Sequence, residues 1–553
     1  MSQLETIKWV KGLKQKPDPE ISEGFMELSD VDMNQTGSIR PIKDNLVEFG
    51  LPATINSTSQ DLQSNGNILS GSGTQVYDGV KLIRSGVSGL PIDFMPHTNI
   101  TYFADGVNFY KYDGTTVYLA GTPVPTVTPS AAAGAGGGFT GTYNIKLTFR
   151  NAQGYAGNPG SAASVVLAAQ QVSVTNIQTN SNPDYNVTAR QLWIQGGTTP
   201  FFPIFVLLTT LNDNTTTSVS VDSTAVDTTT ALETDNDLPP AGVSLVENHY
   251  GVMLLSGILT SPNYLYFSKS NRPEQFPATN AFLISKMGDP IEQIVSWNGQ
   301  TFIDTVRRVY QMIGSPGQGI LSTNFYIKET SAEYGTNATL SVIATPYGIF
   351  SQAEDGIRVF DGNESQLFGI DVRTTFATLN PNAKQNTVAT FWDDKLLMSI
   401  CTDSNTTPDT TLIYDFRNQT WKTHGRGYQA FCVDRKNNVL YCASGANIER
   451  FNGGTTYRPW ATRTKDLTSK VDSFTSFQKF QVDLNGTCTA QVYYDDALIA
   501  TYALTQSPRG LLTRRFPFGL AQRAAIRLSG SSKSTQDEVF SIGYSGEPQR
   551  GEV

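Results

Sequence analysis

Histidine and cysteine are scarce in this chain: three and four residues in 553. The cysteines, Cys401, Cys432, Cys442 and Cys488, are too few for a disulfide framework and form no C-x-x-C pair, so they read as buried free thiols. The histidines, His97, His249 and His424, fall in separate segments, and H-E-x-x-H is absent. No serine has glycines at both −2 and +2, and no Gly-Lys dipeptide occurs, which removes a nucleophile elbow and a P-loop lysine. Charged residues make up only 16%, against the usual ~25%. Lys+Arg of 40 against Asp+Glu of 49 leaves −9, the wrong sign for gripping a duplex through its phosphates. The longest apolar stretch, Phe201 to Leu208, is broken by Pro203 and lies far below the ~20 residues of a membrane span. Lysines near the N-terminus precede no apolar run, so no secretory signal is read and a soluble protein made in the cytoplasm is expected.

What remains is neutral-polar and rich in turns. Glycine (48) and proline (27) punctuate short period-2 segments, and sustained 3.6-residue periodicity is missing, which makes the chain all-β. A loose repeat runs through it: an apolar strand, an aromatic residue, Asp or Asn, then a turn. It appears at Phe109 to Gly114, Ile357 to Gly362, Leu412 to Phe416 and Ile448 to Gly453. The spacings from Asp361 to Asp415 to Asn452 bracket the ~40–50-residue period of four-stranded propeller blades. A β-propeller of about seven blades is therefore expected, in two parts, 41–122 and 241–462.

Between those parts, residues 123–138 (PVPTVTPSAAAGAGGG) read as a flexible linker. About seven short strands over 139–240 suggest an inserted immunoglobulin- or fibronectin-like sandwich. Residues 463–553 alternate in strand fashion and predict a C-terminal β-sandwich.

Candidate chemistry is thin. Gly136 to Gly141 matches G-x-G-x-x-G but opens a strand, leaving no helix terminus for a pyrophosphate. Asp30-Val31-Asp32-Met33-Asn34 resembles the start of a calcium loop, but Gln35 and Pro41 replace its Gly and Glu, so a surface turn is expected. Asp393-Asp394 and Asp495-Asp496 read as hairpin turns, because neighbours on a strand face opposite ways. The basic pairs Arg307-Arg308 and Arg514-Arg515 read as solvated strand edges. No catalytic, cofactor-binding or metal-binding residue is assigned, and no cofactor is expected.

Leu28 to Arg40, ending in Gly37-Ser38-Ile39-Arg40, resembles the opening of tail nozzle proteins of short-tailed bacteriophages, also called tail tubular or packaged-DNA stabilisation proteins. Asn248 to Gly257, Tyr264 to Ser268, Arg272-Pro273-Glu274-Gln275-Phe276 and Pro346 to Phe350 are similar to their propeller strands. The resemblance implies a non-enzymatic structural virion protein, a homohexameric ring below the portal and adaptor that retains packaged DNA and passes it on ejection. It also implies distal tail or fibre proteins as neighbours, non-specific proximity to genomic dsDNA in the channel, no membrane insertion and localisation in the virion tail. Residues 1–40 are expected to be an N-terminal docking segment, with Leu4 to Leu13 contacting the neighbouring tail or portal subunit. The alternative is a propeller-based glycan-binding or glycan-degrading tail protein, since axial mouths often hold sugars and 10% of the residues are aromatic. No S-x-D-x-G-x-x-W box supports it.

Overall fold

A computed structural model describes residues 5–7, 25–33, 38–60, 67–285, 288–314, 325–467 and 475–548. Among these the chain is all-β. Its helices are one turn, Arg373–Phe376, and a few short 3-10 segments.

Seven four-stranded antiparallel units, called sheets below, follow one another over residues 55–85, 93–119, 245–283, 291–329, 343–367, 388–424 and 430–450; six are separate sheets, and the unit at 388–424 is part of a 13-stranded sheet that runs on into the C-terminal strands. The seventh takes its fourth strand, Leu46–Gly50, from near the other end of the chain, where it pairs with Asn447–Arg450. The first strand of each sheet packs against the first strand of the next, and Ala430–Asp434 of the seventh packs against Ile55–Gln60 of the first. Alternation explains why every sheet needs two neighbours. In Val252–Ser256, Met253 and Leu255 join the core shared with the second sheet, while Val252 and Leu254 join the core shared with the fourth. A separate apolar core lies between each consecutive pair, including Leu51, Ile55, Ala430 and Ile448 between the last and the first.

The four sequence repeats occupy one structural position, because Phe109–Tyr112, Gly356–Phe360, Thr410–Asp415 and Asn447–Arg450 are all third strands. In the first three the aspartate closes the turn: Asp113, Asp361 and Asp415 each accept, through Oδ1, the backbone N–H groups two and three residues on.

Between the second and third sheets lies a six-stranded antiparallel sheet. Here the linker reading is corrected for residues 130–138, since Ser130–Asn151 is one 22-residue strand hydrogen-bonded to Ala163–Thr175, while 123–129 are irregular. Its register shifts between Ala133 and Thr140, and the strand bends there. Glycine suits the bend because a Cβ on Gly137 would stand 2.7 Å from the Gln171 backbone nitrogen. The Gly136 to Gly141 match is thus the bend of a strand.

The C-terminal body uses the same device. Thr475–Tyr494 and Ala497–Arg515 form a long hairpin with register shifts between Leu484 and Gly486. It folds over itself: the Phe477 and Tyr494 rings are 5.9 Å apart, and the Tyr502 hydroxyl donates to the Arg515 carbonyl. Phe25–Ser29 pairs with Trp460–Thr464 of this body and, in parallel at Ser29, with Thr420–His424, so hydrogen bonding continues into the sixth sheet. The expected docking segment is in its described parts built into the chain's own sheet, with Glu5–Ile7 paired to 542–544. The remainder of Leu4 to Leu13 lies outside the described residues.

All four cysteines are free and buried. Burial pushes the Cys401 thiol up to about 11 and those of Cys432 and Cys488 up to about 12, with Cys442 raised as well. Thiolate is the reactive form. In a thiol-reagent titration at neutral pH the native protein is therefore expected to show no fast-reacting cysteine, and four after unfolding in guanidinium; a fast native thiol would contradict this packing.

Candidate functional site

One cavity of about 150 Å³ is lined by Asn56, Thr58, Phe94, Ala389 and Phe431, from the first strands of the first, second, sixth and seventh sheets, and by Leu340. A second, of about 410 Å³, shares Ile92, Asp93 and Leu340 with it and is walled by apolar side chains such as Leu90, Leu245, Leu259 and Ile291. Among the described residues no lysine or arginine lines either space.

Two carboxyl groups, Asp93 and Glu292, line these cavities, and a third, Glu247, is within electrostatic reach of Asp93. Asp93 opens the first strand of the second sheet, and its Oδ2 accepts the Val246 N–H at 2.9 Å. Burial pushes its carboxyl up to about 7. Glu247, on the first strand of the third sheet, is likewise pushed up to about 7, by burial and then by the charge of Asp93. Glu292 begins the fourth sheet, accepts from Thr339 Oγ1 at 3.1 Å and is raised by burial. These groups can hold protons or meet a cation. Among the described residues no histidine, cysteine or hydroxyl nucleophile is hydrogen-bonded to them in a triad-like order, and no group of three metal-ligating side chains occurs.

The residues singled out from sequence do not converge. His97 meets Asn248 at 2.6 Å. His249 is buried against Thr301 Oγ1 and the Gly314 carbonyl, and burial lowers its pKa. His424 is buried between Asp30 and Tyr428, at 2.6 and 2.7 Å.

The expected surface turn at Asp30 to Asn34 is corrected there. Asp30 has the positive φ of a turn, but it is 6% exposed and receives the Arg458 Nε at 2.9 Å. Burial alone would raise Asp30, and the contacts to His424 and Arg458 overcome it, leaving the carboxylate lowered. Burial holds His424 below its usual value, so the neutral ring donates to Asp30. Asp32 pairs with Lys422. The N-terminal segment is thereby fastened to the sixth sheet, and Asn34 lies outside the described residues.

Asp393-Asp394 and Asp495-Asp496 sit in hairpin turns with positive φ and hold Arg417 and Arg463. Arg307-Arg308 occupies an exposed turn near Asp289 and Glu329. Arg514-Arg515 ends the outer strand of the long hairpin.

Sequence reasoning missed the most heavily buried charge pair among the described residues. Lys111 donates to Glu274 Oε2 at 2.7 Å, and both side chains are 0% exposed. Glu274 also accepts from Tyr102, the Gly121 N–H and Asn151, joining the second sheet, the six-stranded sheet and the third sheet. Burial lowers the Lys111 pKa against the pull of Glu274. A lysine between tyrosines in the third-strand repeat was the available signal; its partner, 163 residues away, had none.

No protein family matches the sequence, and no curated protein does. Among solved structures the chain is similar to the extracellular domain of a one-component system from B. thetaiotaomicron, at 10% identity and a TM-score of 0.27; the match covers 90% of this chain and spans 60% of that one. It is also similar to the dihydro-heme d1 dehydrogenase NirN, at 8% identity and a TM-score of 0.25, covering 71% and 75%. A third is an exo-beta-1,3-galactanase from Phanerochaete chrysosporium with galactose, at 8% and 0.18, covering 86% and 100%. Overlaps this low carry no argument about architecture or activity.

Proposed function

We propose that this chain is a structural, non-enzymatic subunit of a phage tail ring, like the tail nozzle proteins it resembles. Its seven small sheets are read as a seven-bladed β-propeller, which the cyclic contact of their first strands supports. The borrowed strand Leu46–Gly50 would latch the ring shut. The two bodies built on bent hairpins are read as the inserted and the C-terminal sandwich. Six copies would enclose the DNA path between them, and the 410 Å³ cavity would be the axial mouth of each propeller. Portal or adaptor on one side and distal tail or fibre proteins on the other would be the neighbours, in the virion tail.

The observation that carries this reading is an apolar patch on the C-terminal body, whose strand pairing continues into the sixth sheet. Leu498 and Ile499 stand beside the hairpin turn. Phe518 and Leu520 lie in the loop whose Pro517 carbonyl accepts the Tyr494 hydroxyl, at the same end of the hairpin. Phe518 is fully exposed, at 107%. Exposed apolar clusters of this kind mark association surfaces.

Light scattering and negative-stain imaging of the purified protein should show closed rings of six 60.2-kDa chains. Phe518→Asp with Leu520→Asp should leave the thermal midpoint of the chain nearly unchanged while abolishing rings. A monomer at all concentrations, or rings indifferent to the double substitution, would overturn this assignment.

A further inference from the structure

We propose that the cleft between the six-stranded sheet and the third sheet's 271–275 turn is a saccharide-binding site, with a preference for sugars carrying a carboxylate. The site lies within one chain and does not depend on ring assembly. It is also distinct from the axial mouth, where sugar binding would first be sought in such a fold.

The cleft holds about 520 Å³, within the range of small-molecule sites. Alternation builds its floor. Leu147, Phe149, Leu192 and Ile194 point to the core of the six-stranded sheet, so Thr148, Arg150, Gln191 and Trp193 point the other way, into the cleft. The facing wall brings Asn236, Arg272 and Gln275. The two walls are held in fixed relation, since Gln275 Nε2 donates to the Ala156 carbonyl at 2.6 Å and Arg272 Nη2 pairs with Glu233 at 3.0 Å.

Three side chains there have unmet hydrogen-bonding capacity. Asn236 is 3% exposed; its Oδ1 accepts from Lys269 at 2.6 Å, while its Nδ2 has no partner among the described residues. Gln191, also in the wall, makes no side-chain hydrogen bond among the described residues. Arg150 uses Nε on the Gly154 carbonyl at 2.9 Å, and no carboxylate among the described residues pairs with it.

Amides and a guanidinium beside two rings suit a pyranose, whose hydroxyls need paired donors and acceptors and whose C–H face needs an apolar wall. Half-buried Tyr155 supplies most of that wall; Trp193 is 4% exposed, adds only its edge, and is fixed by its indole N–H on Thr148 Oγ1 at 3.0 Å. Arg272 is neutralised by Glu233, so Arg150 is the uncompensated charge and selects for a uronic acid. Glu233, held in that ion pair, has no second carboxylate in the cleft to work with, and the site binds without cleaving.

The test titrates the full-length protein with trigalacturonate, with lactose and with inorganic phosphate, followed by calorimetry and saturation-transfer NMR. Trigalacturonate should bind more tightly than lactose. Arg150→Ala should weaken it at least ~tenfold and leave lactose within ~twofold, whereas Gln191→Ala should weaken both, as expected for a site built to hydrogen-bond its ligand. Glu292→Gln at the axial mouth should change neither. Both cleft side chains are partly exposed, and an unchanged thermal midpoint confirms each variant as folded; should Arg150→Ala fail to fold, Gln191→Ala decides. Absence of binding by both sugars at ~10 mM, binding unaffected by the cleft substitutions, or phosphate binding as tightly as trigalacturonate would overturn the proposal.

Discussion

Asp304→Asn is expected to stabilise the protein by about 2–4 kcal/mol at pH 8 and to flatten part of its stability–pH curve between pH 4 and 7. Asp304 lies on Gln300–Thr305, the second strand of the fourth sheet, at 3% exposure, and its Oδ2 has no hydrogen-bond partner among the described residues. Burial alone pushes its carboxyl up from 3.8 to about 7. A folded-state pKa above the unfolded value means that the folded state holds the proton longer. The associated stability is complete below about pH 4, falls as the unfolded chain ionises, and is gone once the pH passes about 7. A tenfold difference in proton affinity between the folded and unfolded chain corresponds to about 1.4 kcal/mol, which sets the upper end; an amide left without partners costs about 1 kcal/mol, which lowers it. Asp93 and Glu247 act in the same direction, so the variant should keep a shallower slope. Urea unfolding at pH 4, 6 and 8 measures this. An unchanged midpoint at pH 8 would show that the carboxylate is solvated.

The second large effect is expected at the joint between the sheets. Lys111→Met should cost about 3–5 kcal/mol, because it leaves Glu274 charged and fully buried. Tyr102, Asn151 and the Gly121 N–H remain around that carboxylate, but none carries a positive charge. Combining it with Glu274→Gln removes the stranded charge and keeps an acceptor for Gly121 and Asn151, so the double variant should recover about half the loss. Calorimetric midpoints of the two singles and the double test this; strictly additive losses would refute the coupling. Glu274 adjoins Gln275 in the cleft wall, so Lys111→Met should also weaken saccharide binding.

Third strands were legible because their determinants are local. An aromatic residue followed by Asp, with the backbone turning onto that carboxylate within three residues, is written contiguously at Asp113, Asp361 and Asp415. The fourth copy, at Asn452, carries the pattern, but its neighbouring strand comes from Leu46–Gly50, which no spacing rule reaches. Composition misled at 130–138, where small residues that suit a linker let a strand bend close against the Gln171 backbone. Asp30 misled for a similar reason: its turn is local, while Arg458 and His424, which bury it, lie about 400 residues on. Arg150, Gln191 and Asn236 carry no motif, because they come together only when two sheets pack.

Period-2 alternation, Asp- and Gly-bearing turns and the scarcity of histidine, cysteine and charge determined from the sequence alone an all-β chain of many short strands without a recognisable catalytic set. Each of those features depends on residues within a few positions of one another. Only the tertiary structure decided which sheet packs against which, which strand completes the seventh sheet, where Lys111 finds its counter-charge and which polar faces enclose a cleft. Those outcomes turn on registers and contacts between segments hundreds of residues apart, and a strand's alternation says that both of its faces will be covered without saying by what.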